Sequence, residues 1–204
     1  MHTNHILSAG KELKSAEKVL IMIHGRGGRA EDILTLSGHL NVEDFALIAP
    51  QANNNTWYPF SFLAPPDQNQ PGLDSALSVL KNVVDDLVKS GKKTENIYFL
   101  GFSQGACLTL EFTTRHATRY GGIVAFTGGL IGDKIYRDNY AGDFNGTPVF
   151  IGSADPDFHV PVERVYATTN ILKEMNAVVT EKIYPGMGHT ISMEEIELVN
   201  SLIF

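Results

Sequence analysis

Lys18-Val19-Leu20-Ile21-Met22-Ile23 is apolar at every position after the first and stops abruptly at His24-Gly25-Arg26-Gly27-Gly28. A run without polar alternation fits a strand buried on both faces, and the glycines that follow fit a tight loop. Phe45 to Ala49, Ile97 to Leu100, Ile123 to Phe126 and Pro148 to Ile151 repeat the pattern, while Val178 to Tyr184 alternates more. Segments of helical period lie between these runs. Residues 72 to 90 place Leu73, Ala76, Leu77, Leu80, Val83, Val84, Leu87 and Val88 on one stripe, and residues 161 to 175 do the same with Val162, Val165, Tyr166, Thr169 and Leu172. Pro161 suits the first turn of its helix. Ser192-Met193-Glu194-Glu195 has the form of a capping box, with Ile191 and Ile196 placed for the hydrophobic staple. Strands alternating with helices imply an α/β fold, a mostly parallel sheet with helices on both faces, whose ligands bind at the carboxyl ends of the strands.

The chain of 204 residues is long enough for a sizeable core and is expected to form a single domain, residues 1–204. With 43% hydrophobic and 19% charged residues it has neither a disordered composition nor an apolar run long enough for an integral membrane segment. The first residues lack a basic patch followed by a sustained apolar stretch, so a cytoplasmic location is expected. A net charge of -7, with 16 basic residues scattered along the chain, argues against a nucleic acid partner. Cys107 is the single cysteine, which excludes an intrachain disulfide and a cysteine metal cluster; it reads as a small packing residue.

Gly101-Phe102-Ser103-Gln104-Gly105 lies where the strand from Ile97 gives way to an apolar helical run from Ala106. A sharp turn from strand to helix strains the serine backbone, and glycines two residues away on either side remove the collisions that larger residues would make. The Ser103 hydroxyl then stands alone above the sheet edge. The amide of Gln104, at the helix N-terminus, points into the same space, where partial positive charge favours a developing oxyanion. Serine needs a histidine to take its proton and a carboxylate to hold that histidine, expected on this fold in the order serine, acid, histidine. After Ile151 comes Gly152-Ser153-Ala154-Asp155-Pro156-Asp157-Phe158-His159-Val160-Pro161, and after Tyr184 comes Pro185-Gly186-Met187-Gly188-His189-Thr190. His189 therefore stands in a glycine-flanked loop between the last strand and the last helix. No second ligand sits at helical spacing from it, so a metal-binding role for it is not expected.

The long irregular segment, residues 50 to 71, is rich in Pro, Asn and Gln and holds Trp57, Tyr58, Phe60 and Phe62. Loops of this length inside a domain are usually functional. Its aromatics either wall a substrate site, with Trp57 the first candidate, or anchor the loop to the core. Gly25-x-Gly27-x-x-Ala30 formally matches a dinucleotide fingerprint, but the second strand ends in proline and glutamine where the acidic ribose ligand should stand.

Taken in order, "HGRGG", "LIAPQA", "GFSQGA", "FTGGLIG", "ADPDFHVP" and "YPGMGHT" resemble the phospholipase/carboxylesterase group of α/β-hydrolases, which includes the acyl-protein thioesterases. The resemblance runs from about residue 18 to the C-terminus. It implies the α/β-hydrolase fold with little or no lid domain, and hydrolysis of small-molecule carboxylic esters or thioesters by a Ser-His-Asp triad without a cofactor. Ser103 then resembles the nucleophile and His189 the general base. The family's G-x-x-D-x-x-V-P is longer here by two residues, so counting from Gly152 selects Asp155 and counting back from Val160-Pro161 selects Asp157. Asp157 is preferred because Pro161 sets the start of the next helix. The residue after His24-Gly25 supplies an oxyanion amide in the family, making Arg26 the partner of Gln104, with the side chains of both of less consequence. His24 reads as a residue shaping that loop, and His159 as a substrate contact. A non-catalytic scaffold that binds a ligand or protein is the alternative. Oligomeric state is left open, a homodimer included.

Overall fold

The computed structural model describes residues 1–204. Its strands are β1 (Ile6–Gly10), β2 (Lys18–Ile23), β3 (Phe45–Pro50), β4 (Ile97–Phe102), β5 (Gly122–Phe126), β6 (Pro148–Asp155) and β7 (Val178–Pro185). They form a 7-stranded sheet in the order β1-β3-β2-β4-β5-β6-β7. All neighbours are parallel except β1, which runs antiparallel to β3 from Ile6 opposite Pro50 to Gly10 opposite Ala46. The helices are α1 (Ala30–Leu34), α2 (Pro66–Asn69), α3 (Gly72–Lys89), α4 (Gln104–Arg115), α5 (Val162–Glu174) and α6 (Met193–Leu202). None of them is long and apolar enough to cross a membrane.

The unbroken apolar runs are explained by helices on both faces of the sheet. Val19, Ile21 and Ile23 of β2 enter one core with side chains of α3, α4 and α5. Leu20 and Met22 enter a second core with α1 and α6. Each strand thus spends successive side chains on opposite cores. β1 escaped sequence reading for the converse reason: it is an edge strand with mostly exposed side chains, so no apolar signature marks it. β6 runs four residues beyond Ile151, because it stays paired with β7 as far as Asp155 opposite Pro185.

Two helical stripes are narrower than their periodicity suggests. Val88 on α3 and Tyr166 on α5 are each 46% exposed. On α5 the buried face passes instead through Val165, Thr168, Thr169, Ile171 and Leu172. Pro161 precedes that helix as its N-cap rather than opening its first turn. On α6 the capping box forms as expected, with the Ser192 hydroxyl accepting from the Glu195 amide and the Glu195 carboxylate from the Ser192 amide.

Candidate active site

Ser103 sits between β4 and α4 with φ 53° and ψ -118°, a left-handed φ that non-glycine residues rarely adopt. Holding it there costs about 1–3 kcal/mol, which the surrounding backbone must enforce. Its amide donates to the Phe126 carbonyl at 2.9 Å and its carbonyl accepts from the Cys107 amide at 3.0 Å. The glycines are required by contact. A Cβ on Gly101 would lie 2.4 Å from the Gly105 carbonyl oxygen, and one on Gly105 would lie 2.1 Å from the Ile23 carbonyl oxygen.

The loop after β7 brings His189 to this serine: Nε2 lies 2.8 Å from Ser103 Oγ and Nδ1 lies 2.8 Å from Asp157 Oδ2. A carboxylate can only accept, so Nδ1–H donates to Asp157 and the Nε2 lone pair faces the serine hydroxyl. The other carboxylate oxygen of Asp157 accepts from the amides of His159 at 2.7 Å and Val160 at 2.9 Å. Burial alone would raise the Asp157 pKa. The hydrogen bonds from His189, His159 and Val160 outweigh it and leave the carboxyl below its ordinary value. Asp155, the alternative acid, ends β6 as an exposed residue, and its backbone carbonyl accepts from the Gly186 amide. Two residues of added loop carry the carboxylate from the strand end to the histidine.

Arg26 and Gln104 flank Ser103, and neither backbone amide is spent on a protein acceptor. Their side chains do more than sequence reading allowed. The Arg26 guanidinium donates to the carbonyls of Tyr58 at 3.0 Å, Pro59 at 2.9 Å and Phe60 at 2.6 Å. The Gln104 side chain is buried; its Nε2 donates to the Tyr58 carbonyl at 2.8 Å and its Oε1 accepts from the Trp57 amide at 2.9 Å. Two residues beside the serine thus fasten the 50–71 segment over it. Neither link is readable from the chain, because both join residues more than thirty positions apart.

That segment supplies one wall of a cavity of about 630 Å³ around Ser103, through Tyr58, Phe60, Phe62 and Leu63. His159 and Phe158 line the other side, and Cys107 lies among the lining residues. Trp57 does not line it. Its ring is fully buried between His2 and His24, centroids 5.3 and 5.0 Å away, and its indole N–H donates to the His24 carbonyl at 2.9 Å. The largest aromatic of the loop is spent on anchoring, because a buried indole needs both apolar cover and a hydrogen-bond acceptor. His24 is buried as a shaping residue, with Nδ1 donating to the Gly25 carbonyl and Nε2 accepting from the Ala52 amide. Burial pulls its pKa below the ordinary imidazole value. Burial likewise pushes the Cys107 thiol up to about 12, which keeps it protonated.

Residues 129–145 contribute no lining to the cavity. They brace the wall from behind. Buried Glu111 accepts from the Ile131 amide and the Tyr140 hydroxyl, and the Gly132 amide donates to the Phe62 carbonyl at 2.7 Å.

The sequence model of the phospholipase/carboxylesterase family matches residues 4–203. The chain belongs to that family. Membership makes it a carboxylic ester hydrolase, and its mostly parallel sheet is that of the α/β-hydrolases. A phospholipase/carboxylesterase from Dyadobacter fermentans is 54% identical and superposes with a TM-score of 0.98 over 99% of this chain and 97% of that one. Acyl-protein thioesterase 1 of Kluyveromyces lactis is 29% identical over 97% of this chain and 95% of its own length. A Bacillus cereus carboxylesterase, 20% identical with a TM-score of 0.78 over 96% of this chain and 91% of that one, shares the fold.

Proposed function

We propose that this family member hydrolyses carboxylic esters or thioesters through an acyl-enzyme on Ser103. The observation that carries this reading is the relay Asp157–His189–Ser103, with both links at 2.8 Å and the imidazole tautomer set by the carboxylate. Ser103 Oγ attacks the acyl carbonyl carbon as its proton passes to His189 Nε2. The tetrahedral oxyanion is met by the amides of Arg26 and Gln104, each such donor being worth about 3 kcal/mol of transition-state stabilisation. On collapse, the carbonyl re-forms, the bond to the leaving oxygen or sulfur breaks, and His189 returns the proton to it. Water then adds to the acyl carbon with His189 as base, and the acid departs with Ser103 restored. Asp157 keeps the ring oriented and stabilises the imidazolium while it exists. The relatives bear both carboxylesterase and thioesterase names, which supports keeping both leaving atoms open.

Intact mass after treatment with a fluorophosphonate, followed by peptide mapping, tests the reading. One adduct on Ser103, absent in Ser103→Ala, is the expected result. No adduct on the folded wild-type protein would favour a binding scaffold without turnover.

A further inference from the structure

Only one side of the Ser103 cavity can receive the leaving group. His189 Nε2 must hand its proton to the departing atom, so that atom sits within hydrogen-bond reach of the imidazole and its substituent extends past the walls nearest that ring. The cavity-lining ring beside the imidazole is His159. The Phe102 ring centroid also lies 5.4 Å from that of His189, but Phe102 does not line the cavity. The His159 ring lies edge-on at 4.9 Å and is exposed, beside Phe158 in the acid loop. Phe60, Phe62 and Leu63 line the cavity from the 50–71 segment.

Phe158 is 99% exposed although it lines the cavity. A phenyl ring fully in water, with nothing of the chain covering it, recovers most of its apolar area against another flat surface. The charge nearby disfavours an anionic partner. The Arg26 guanidinium is committed to three backbone carbonyls, Asp155 stands exposed in the same loop, and the chain carries a net charge of -7.

Resting on the acyl-enzyme reading above, we infer that Phe158 and His159 form the leaving-group subsite, and that it takes a planar, uncharged aromatic alcohol or thiol. Phe158 stacks on the departing ring while His159 bounds the path beside His189. The selection acts in acylation, so it is read in kcat/KM with esters that share one acyl group.

The test compares wild type, Phe158→Ala and Phe158→Tyr on phenyl acetate, ethyl acetate and phenyl butyrate. Phe158→Ala should lower kcat/KM about tenfold for both phenyl esters and by less than about twofold for ethyl acetate. Phe158→Tyr keeps the flat ring and should stay within about twofold of wild type on all three. An equal loss on phenyl and ethyl acetate, no loss on either, or a loss that tracks acyl length would overturn the subsite. Fluorophosphonate labelling run alongside separates the two levels of the proposal. A wild-type protein that neither labels on Ser103 nor turns over phenyl acetate would overturn the hydrolase mechanism and the subsite together.

Discussion

The elbow that carries Ser103 and the wall that faces it are secured by different means. At the elbow the backbone packs against itself, with Gly101 and Gly105 so close to neighbouring carbonyls that no side chain fits. The wall, residues 50–71, is fastened by side chains that reach across from Arg26 and Gln104. Steric exclusion admits no partial failure, whereas a set of separate hydrogen bonds can be loosened one at a time. On the proposed mechanism the elbow sets whether the chemistry occurs, and the wall sets what fits.

That contrast can be broken most strongly in the chemistry itself. Asp157→Asn should lower kcat by about 10⁴, equivalent to ~5.5 kcal/mol, while leaving the fold intact, because the amide can force the wrong imidazole tautomer. Asp155→Asn should change kcat by less than about threefold, since its exposed side chain does not touch the histidine. Steady-state kinetics on one ester separates the two, and a reversed ranking would move the acid to the strand end.

Next in size is Gly105→Ala. A Cβ 2.1 Å from the Ile23 carbonyl oxygen forces the elbow away from β2 and should cost about 3 kcal/mol or more of stability, with loss of activity. Thermal denaturation measures the first and ester turnover the second. A stable, active Gly105→Ala protein would show that the elbow is less rigid than its contacts imply.

Gln104→Ala sharpens the other half of the comparison, because it leaves the backbone amide in place and removes only the fastening. The Trp57 amide and one donor to the Tyr58 carbonyl are released, so KM should rise about tenfold while kcat falls less than about threefold. A fall in kcat with KM unchanged would mean that the side chain acts on the oxyanion geometry instead of the wall.

The smallest effect is on stability against pH. The folded-state pKa of Asp157 lies below its ordinary value of 3.8. Its ionised form therefore adds stability that is fully present above the unfolded carboxyl pKa and is lost as pH falls through the folded one. The Tm advantage of wild type over Asp157→Asn should be constant above about pH 5 and shrink on acidification below the unfolded value. An advantage that grows with acid would show that the carboxylate is not held by the bonds it makes.

The sequence by itself determined whatever depends on neighbours along the chain. The alternation of strands and helices, the capping box of α6, the sharp strand-to-helix turn at Ser103 and the placing of His189 in the loop after the last strand were all legible, because local sterics and periodicity act over a few residues. Tertiary structure decided matters that depend on where a side chain travels. β1 exists because β3 offers it an edge, not because its own residues demand a strand. Counting along the acid loop selects Asp155 from one end and Asp157 from the other; Pro161 favours Asp157, and the fold brings Asp157 to His189 while Asp155 stays paired opposite Pro185 at the end of β6. Trp57 is open by its type to walling a substrate site or anchoring its loop, and the fold buries it between His2 and His24 as an anchor, while Arg26 and Gln104 use their side chains to hold the 50–71 segment. A residue's chemistry is written in the chain, but its direction is set by the partners that folding brings within hydrogen-bond reach.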